Sequence, residues 1–226
     1  MFKGTSASAG IGIGKAVIVE EAELVITRNE VADAEAEIQR FKGALEKTIA
    51  ATQKMADDLA SRVGEKEAEI MQGHMMLLSD PMLTGEIENS VKNDKVNCEF
   101  AIENVCNMYA DMFASMGDEL MQQRATDMRD IKVRMQRTLM GLESVDVSLL
   151  PKGSILVAKD LTPSMTAGIN PANVTGIVTE LGGRTSHSAI LARALEIPAV
   201  VAVNGLLDEV KDGDTVVLDG SAGEVY

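Results

Sequence analysis

Several residue types that support common binding chemistries are scarce in this chain of 226 residues. Tryptophan is absent and aromatic residues make up 3% of the sequence, so platforms that stack nucleobases or sugar rings are not expected. The two histidines and two cysteines lie too far apart along the sequence to indicate a zinc site. No apolar run approaches the roughly 18 residues that a transmembrane helix requires.

The few cysteines and the N-terminus bear on cellular location. Cys98 and Cys106 fall eight positions apart in a predicted helix, which is about 12 Å along its axis and too far for a disulfide bond. We therefore expect two reduced thiols in the core. The first residues lead into a Gly/Ala/Ile stretch that is too short and too strand-like for a signal peptide. These features together predict a cytoplasmic protein.

Positive charge is also in short supply. The chain has 21 Lys and Arg residues against 35 Asp and Glu residues, a net charge of −14. Nucleic acids and anionic membranes select basic surfaces, so neither is an expected partner. An acidic surface instead permits a partner with a positive binding face.

Residues 29–142 have a helical apolar pattern throughout. Apolar residues recur every three or four positions from Ile38 to Val63, which predicts one long amphipathic helix. Further helices are predicted at 65–78, 97–116 and 118–142, and another starts at Pro81 with Asp80 as its cap. Twelve of the fourteen methionines lie between Met55 and Met140. Most are expected in the core of a helical bundle, and a few on an adaptable docking surface.

After Pro151, short strands alternate with short helices, which is typical of an α/β domain. Strands are predicted at 154–158, 174–181 and 199–203, a helix at 163–167, and a hairpin at 215–218 and 224–226. An early strand at 15–19, after a glycine turn at 10–15, needs a sheet and is expected to join these strands. The sequence thus predicts an α/β domain, residues 1–28 and 146–226, with an inserted all-α bundle of helical hairpins, residues 29–145.

His187 lies where a glycine turn enters a predicted helix, in Gly182-Gly-Arg-Thr-Ser-His-Ser-Ala-Ile-Leu-Ala-Arg193. Thr185 or Ser186 is the predicted cap, so His187 is expected to be exposed in the first turn. A helix N-terminus carries roughly half a positive charge and unpaired N–H groups. It disfavours imidazolium and stabilises an anion attached to the ring, such as a phosphoryl group.

Other interpretations of these motifs are open or weak. The position of His187 fits equally a histidine that only contributes to helix capping. A serine-hydrolase site at Ser186-His187-Ser188 is weak, because neighbouring side chains diverge and no third residue orients the base. The glycine stretch at 10–15 is followed by a strand, whereas a phosphate-binding P-loop needs Ser or Thr and then a helix.

The segment Gly182–Arg193 closely resembles the active-site histidine motif of phosphoenolpyruvate-utilising phosphotransferases. Four further segments resemble, in the same order, the N-terminal half of the Enzyme I family of the bacterial phosphoenolpyruvate:sugar phosphotransferase system. They are Ser8–Ala16, Gly73–Asp80, Arg124–Asp130 and Asp160–Thr166. Pyruvate phosphate dikinase and phosphoenolpyruvate synthase share the histidine motif alone, so the helical segments distinguish Enzyme I.

The resemblance implies a swivelling phosphohistidine domain in which His187 is transiently phosphorylated, with Nε2 as the expected atom. Gly183 and Arg184 are expected to hold the phosphoryl oxygens, and Thr166 to hydrogen-bond the histidine. The helical bundle is expected to bind HPr, a small phosphocarrier protein, through Lys66, Met71, His74, Met75, Leu78 and Arg124. The pattern around His74 also fits a structural histidine, and Glu67 occupies the position that matches a family lysine able to reach the active histidine.

In the family, a linker leads on to a barrel domain that binds phosphoenolpyruvate and Mg²⁺ and carries the dimer interface. For these residues we therefore expect no cofactor, a monomer, and exchange with phospho-HPr but not with phosphoenolpyruvate. The implied function is phosphoryl transfer from phosphoenolpyruvate through His187 to HPr, the first step of sugar uptake. Two alternatives are open. One is a paralogous phosphorelay of the nitrogen-regulatory or dihydroxyacetone-kinase type, and the other is a non-catalytic module that binds a carrier.

Overall fold

The computed structural model describes residues 1–226, and the chain divides into two compact units. The sheet unit consists of Met1–Glu21, Ser61–Glu67 and Val145–Tyr226. The helical unit consists of Ala22–Ala60 and Ala68–Ser144. The predicted fold class, an α/β domain interrupted by a helical bundle, is confirmed. The segment Ser61–Glu67 groups with the sheet unit although it links two helices of the predicted insertion.

Five helices follow one another between residues 34 and 140: α1 Ala34–Arg62, α2 Glu65–Leu78, α3 Pro81–Asp94, α4 Cys98–Ser115 and α5 Glu119–Met140. Their ends follow local chemistry. The carboxylate of Asp80 accepts a hydrogen bond from the Met82 amide at the start of α3, with proline in the first turn. Asp118 caps α5 in the same way, and Gly141 ends that helix with a φ of 67°. The predicted helices are confirmed to within two residues at these ends.

The core of the helical unit is built from large apolar side chains. α4 packs against both α3 and α5, and the fully buried side chains include Phe41, Leu83, Ile87, Ile102, Met128, Ile131 and Met135. Cys98 and Cys106 are buried and unpaired, as expected from their spacing. Burial raises the pKa of the Cys106 thiol to about 12, so it remains a protonated apolar group.

The sheet unit contains eight strands: β1 Phe2–Lys3, β2 Thr5–Ser8, β3 Ile11–Ile18, β4 Ser154–Ala158, β5 Val174–Thr179, β6 Ala199–Val201, β7 Thr215–Asp219 and β8 Glu224–Val225. Their order is β1-β8-β7-β3-β4-β5-β6-β2. The early strand β3 pairs in parallel with β4, with Ala16 opposite Ile155, and antiparallel with β7. The expectation that this strand joins the C-terminal strands is confirmed.

The N-terminal segment closes the sheet. β1 and β2 lie at opposite edges of the strand order, yet Gly4 alone separates them along the chain. A Cβ atom on Gly4 would lie 2.6 Å from the Val201 carbonyl oxygen, so a larger residue would not fit here. The two outermost strands are therefore consecutive parts of one N-terminal segment.

The prediction of a glycine turn at residues 10–15 is wrong for most of that stretch. β3 begins at Ile11, and Gly12 and Gly14 lie inside the strand. A Cβ atom on Gly14 would lie 2.1 Å from the Gly153 carbonyl oxygen. These glycines therefore allow close approach of neighbouring backbone rather than a change of chain direction.

Alternating residues of the central strands build two cores. Ile155 and Val157 of β4 belong to one apolar cluster, while Leu156 and Ala158 belong to the other. The second cluster includes Ala189 of α7, the helix His187–Ala194. The remaining elements are α6 Pro163–Ala167, α8 Leu206–Glu209 and a 3₁₀ turn at Val147–Leu149. α6 and α7 pack against each other, which brings together two of the segments singled out in the sequence.

No helix combines the length and the apolar character that crossing a bilayer requires.

Candidate active site

A tight turn leads from β5 into α7. Gly182 has a φ of 98°, a backbone conformation that side chains other than glycine rarely adopt. Ser186 closes the turn, because its amide and its hydroxyl both donate to the Gly183 carbonyl oxygen, at 3.1 and 2.8 Å. A Cβ atom on Gly183 would meet nothing within 4 Å, so this side of the turn is open. The turn is therefore rigid in its backbone and accessible at its tip.

Ser186 is the cap of α7, which decides between the two predicted candidates. Its hydroxyl oxygen lies 3.3 Å from the Ala189 amide, which donates to it. It also shares a 2.9 Å hydrogen bond with the Ser188 hydroxyl. His187 is then the first residue of the helix, as predicted.

The prediction that His187 is exposed is wrong, since only 8% of the residue is accessible. The helix that it begins packs against both β2 and α6. Ser188 and Ala189, the residues that follow it, are buried as well. Sequence position at a loop–helix corner did not reveal these neighbours, because they come from distant parts of the chain.

Two arginines lie at this turn, and they have different surroundings. The Arg184 side chain is exposed, while its carbonyl oxygen accepts a 3.0 Å hydrogen bond from Nη2 of Arg193. Nη1 of Arg193 donates to the Ala7 carbonyl oxygen at 2.9 Å. Arg193 thus ties the turn to β2. Sequence reasoning missed this role, because a basic residue in the last turn of a helix is common for electrostatic reasons alone.

Thr166 lies in α6, which packs against α7, and only 1% of the residue is exposed. Its hydroxyl donates to the Thr162 carbonyl oxygen at 2.8 Å. Thr162 in turn caps α6 by accepting from the Met165 amide at 3.2 Å. Since a hydroxyl has one hydrogen and two lone pairs, Thr166 can act towards any further partner only as an acceptor.

Of the six residues expected to contact a carrier, three have no exposed surface: Met71, His74 and Leu78. Nε2 of His74 lies 3.0 Å from Oδ1 of Asp127, and Nδ1 lies 4.0 Å from Oδ2 of Asp130. The expectation of direct contact through these three side chains is therefore wrong for this structure, because the helical bundle packs over them. Lys66 is exposed and Met75 is half-buried. About one third of the Arg124 side chain is exposed, at 32%.

The structure instead exposes methionines that the sequence analysis did not single out. Met108 and Met112 of α4 and Met116, the residue that directly follows it, are exposed by 54%, 44% and 54%. Their spacing of four residues places them along one side of the helix. Met76 of α2 is 69% exposed. Such a surface is apolar and adaptable, because the unbranched methionine side chain repacks readily.

One group of residues in the helical unit has the composition of a metal site. Ligand atoms of Glu37, Cys98 and Glu99 all lie within 4.8 Å of one another. Arg40 already supplies a cation here, because its guanidinium donates to Glu37 at 2.9 Å and also to Glu99. Burial, followed by the hydrogen bond to Glu37, raises the pKa of the Cys98 thiol far above its ordinary value. A protonated thiol beside an arginine is not suited to bind a metal.

Comparison with known proteins locates this site within a family. A family model described as "PEP-utilising enzyme, N-terminal" matches residues 3–124. A second, "PEP-utilising enzyme, mobile domain", matches residues 150–223 and includes His187. The chain belongs to the PEP-utilising enzymes. The resemblance seen in the sequence motifs is thereby confirmed.

Among these enzymes, the phosphoenolpyruvate-protein phosphotransferase of Bacillus subtilis is 41% identical over 224 residues, which is 99% of this chain. The protein of the same name from Listeria monocytogenes is 43% identical over 224 residues, again 99% of this chain. The chain spans 39% of the length of each relative.

Two solved structures show the same fold. The solution structure of an Enzyme I protein matches with a TM-score of 0.85 and 40% identity, covering 100% of this chain and 92% of that one. The N-terminal domain of "Enzyme 1 - Nitrogen" matches with a TM-score of 0.65 and 25% identity, covering 100% of this chain and 93% of that one.

Proposed function

We propose that this chain is a phosphohistidine carrier that transfers phosphoryl groups between a phosphoenolpyruvate-dependent donor and HPr. The observation that carries the proposal is the position of His187. It begins a capped helix directly after a glycine turn, within a segment that matches the mobile domain of PEP-utilising enzymes. Two relatives that are more than 40% identical are named as phosphoenolpyruvate-protein phosphotransferases, which supports this chemistry.

In the proposed exchange with phospho-HPr, which is the donor in this direction, a ring nitrogen of His187 attacks the phosphorus of the phosphohistidine of HPr. A new N–P bond forms at His187 while the donor's N–P bond breaks, and the donor nitrogen leaves with the bonding electron pair. Both carriers are imidazoles of similar phosphoryl affinity, so the step is reversible. Such transfers pass through a transition state with dispersed charge, and catalysis depends mainly on positioning and electrostatics.

The surroundings of His187 support a neutral ring with a defined tautomer. The N-terminus of α7 disfavours imidazolium and stabilises the oxygens of an attached phosphoryl group. Arg184 and the open backbone at Gly183 are the further proposed contacts for these oxygens. Thr166 is the proposed hydrogen-bond partner of the ring. Because its single hydrogen is donated to Thr162, it would accept the ring N–H, leaving the lone pair on the other nitrogen for attack.

We propose that HPr docks on the helical unit, over Met108, Met112 and Met116 together with Met76 and Arg124. Methionine surfaces adapt to a partner, and Arg124 supplies a partly exposed cation. The net charge of −14 suits a partner with a basic face. Met75 and Lys66 remain proposed contacts.

Phosphoenolpyruvate and Mg²⁺ are proposed to act outside these residues, in a domain of the longer relatives. The ligand set at Glu37, Cys98 and Glu99 does not fit Mg²⁺, which prefers oxygen ligands and retains water, and Arg40 already supplies the cation there. No step at His187 is therefore derived through a metal ion.

The paralogous nitrogen-regulatory relay is the weaker candidate. The match to the nitrogen-type domain has 25% identity, against 40% for the Enzyme I structure. A non-catalytic binding module would retain the helical unit but would have no need of the capped histidine turn.

The test is the intact mass of the chain after mixing with phospho-HPr, alongside His187→Ala. We expect one acid-labile phosphoryl group on the wild type and none on the variant, with HPr binding retained by both. No mass gain on a folded wild-type chain would contradict the proposal. Paralogous phosphocarriers should donate more slowly than phospho-HPr, and phosphoenolpyruvate with Mg²⁺ alone should leave the mass of this chain unchanged.

A further inference from the structure

α6 is a helix of five residues, Pro163–Ala167, and it carries Thr166. A helix this short has too few internal hydrogen bonds to be stable by itself and depends on contacts at its ends. Its N-terminus has them, since Thr162 provides the cap and Pro163 the first position. The carbonyl groups at its C-terminus need partners as well.

The backbone amides of Gly168 and Ile169 bind the carbonyl groups of residues 164–166, and Arg62 binds the next carbonyl groups. It is the last residue of α1, within the segment that groups with the sheet unit. Its Nη2 lies 2.6 Å from the Ala167 carbonyl oxygen, and its Nη1 lies 2.5 Å from the Ile169 carbonyl oxygen. The planar guanidinium thus donates to both sides of Gly168. A cation at a helix C-terminus is also electrostatically favourable.

The position of α6 determines the position of Thr166. The threonine is buried and its helix packs against α7, which begins at His187. Any movement of α6 would change the distance between the Thr166 hydroxyl and the histidine ring. If Thr166 accepts the ring N–H, as proposed above, a ring that loses this acceptor would no longer hold its proton on one nitrogen.

We propose that Arg62 is a positioning residue for phosphoryl transfer at His187, an inference that rests on the proposed function of that histidine. By holding the carbonyl oxygens of Ala167 and Ile169, Arg62 fixes α6 and thereby Thr166. Arg62 does not touch the phosphoryl group and acts only through the position of α6.

The test compares Arg62→Gln and Arg62→Lys with wild type in the full chain. In Arg62→Gln, we expect the maximal rate of phosphoryl exchange with phospho-HPr to fall about tenfold, with an unchanged KM for phospho-HPr. Arg62→Lys should recover part of the rate, because an ammonium can donate to one of the two carbonyl groups. Arg129→Gln, an exposed arginine on α5, is the matched control and should exchange at the wild-type rate.

A second measurement needs no phosphate donor. The ¹⁵N chemical shifts of the His187 ring report its tautomer, and Arg62→Gln should shift them from one tautomer towards a mixture. Denaturant unfolding establishes that each variant is folded under these conditions. A wild-type rate and wild-type ring shifts in Arg62→Gln would overturn the inference, as would a rate loss explained entirely by the unfolded fraction.

The two proposals fail in different ways. If wild type accepts no phosphoryl group from phospho-HPr, the proposed function is wrong, whereas the ring shifts still decide whether Arg62 positions the histidine. If wild type is phosphorylated and Arg62→Gln behaves identically in both measurements, the proposed function stands and the role of Arg62 is rejected.

Discussion

Nε2 of His74 lies 3.0 Å from Oδ1 of Asp127, and the histidine has no exposed surface. Asp130 lies on the other side of the ring, with 4.0 Å between Nδ1 and Oδ2. The second histidine of the chain is therefore a structural residue that joins α2 to α5. A group buried this completely contributes to stability through its partners and not through contact with another protein.

His74→Ala should lower the free energy of unfolding of the helical unit by about 2 to 4 kcal/mol, because it leaves a cavity and a buried carboxylate without its imidazole partner. Urea unfolding monitored by circular dichroism measures this loss. Met76 lies two residues further along the same helix and is 69% exposed. Met76→Ala should change the free energy of unfolding by less than about 0.5 kcal/mol. Equal stability losses for the two variants would contradict the buried pairing.

Gly73 makes room for the side chain proposed to contact the carrier. A Cβ atom at this position would lie 2.7 Å from Nη1 of Arg124. We expect Gly73→Ala to displace the guanidinium and weaken HPr binding about tenfold, measured by isothermal titration calorimetry, while the chain stays folded. Unchanged affinity would show that Arg124 does not contribute to docking.

Gly85→Ala is the control for this substitution. Gly85 also lies inside a helix, but a Cβ atom there meets nothing within 4 Å. Replacing an open helical glycine by alanine should raise the free energy of unfolding by about 0.5 to 1 kcal/mol. HPr affinity should not change in this variant.

Loss of the cap at Ser186 should affect both stability and activity. Ser186→Ala removes the acceptor for the Ala189 amide and the hydroxyl that closes the turn onto Gly183. We expect a loss of about 1 kcal/mol in the unfolding free energy of the sheet unit, together with slower phosphoryl exchange at His187. Ser186→Asn, which retains a capping side chain, should preserve most of the stability. Thr185→Ala, at the exposed neighbouring position, should leave both quantities unchanged.

Local chemistry explains what could be predicted from the sequence. The ends of α3 and α5 follow from Asp80 and Asp118, whose carboxylates bind amide groups two or three residues further on. The start of α7 at His187 follows from Ser186 in the same manner. Each of these signals acts over a few residues, so the sequence contains all that is needed to recognise it.

Features that depend on distant segments could not be predicted. The burial of His187 depends on β2 and α6, and the burial of His74 depends on residues of α5. Gly14 of β3 is required by the carbonyl oxygen of Gly153 and Gly12 by that of Thr175, and both partners lie far along the chain. The contact of Arg62 with Ala167 joins residues 105 positions apart. Such pairings are set by the topology of the sheet and bundle, and periodicity within one segment contains no information about them.

Acid should destabilise the helical unit through two partly buried carboxylates. Burial opposes ionisation of Glu99, yet its hydrogen bonds, chiefly from Arg40, hold the pKa below its ordinary value of 4.5. The same balance, with hydrogen bonds from Gln136 and Lys132, lowers the pKa of Glu103. A carboxyl group with a lowered pKa in the folded state binds protons more weakly there than in the unfolded chain. Its stabilising contribution is present above the ordinary value and is lost as the pH falls through the folded-state pKa.

We therefore expect the unfolding free energy to be nearly constant near neutral pH and to decrease below pH 4.5. Arg40→Gln should lower the free energy of unfolding at neutral pH by about 1 to 2 kcal/mol. It should also reduce the further decrease below pH 4.5, because Glu99 then loses the hydrogen bonds that chiefly lower its pKa. Lys42→Gln breaks the surface ion pair between Lys42 and Glu88, whose charged atoms lie 3.6 Å apart. It should leave the dependence of the unfolding free energy on pH unchanged. Urea unfolding measured from pH 7 to pH 3 compares the three proteins. If the unfolding free energy of Arg40→Gln decreased as steeply below pH 4.5 as that of wild type, the charge of Glu99 would not depend on the arginine.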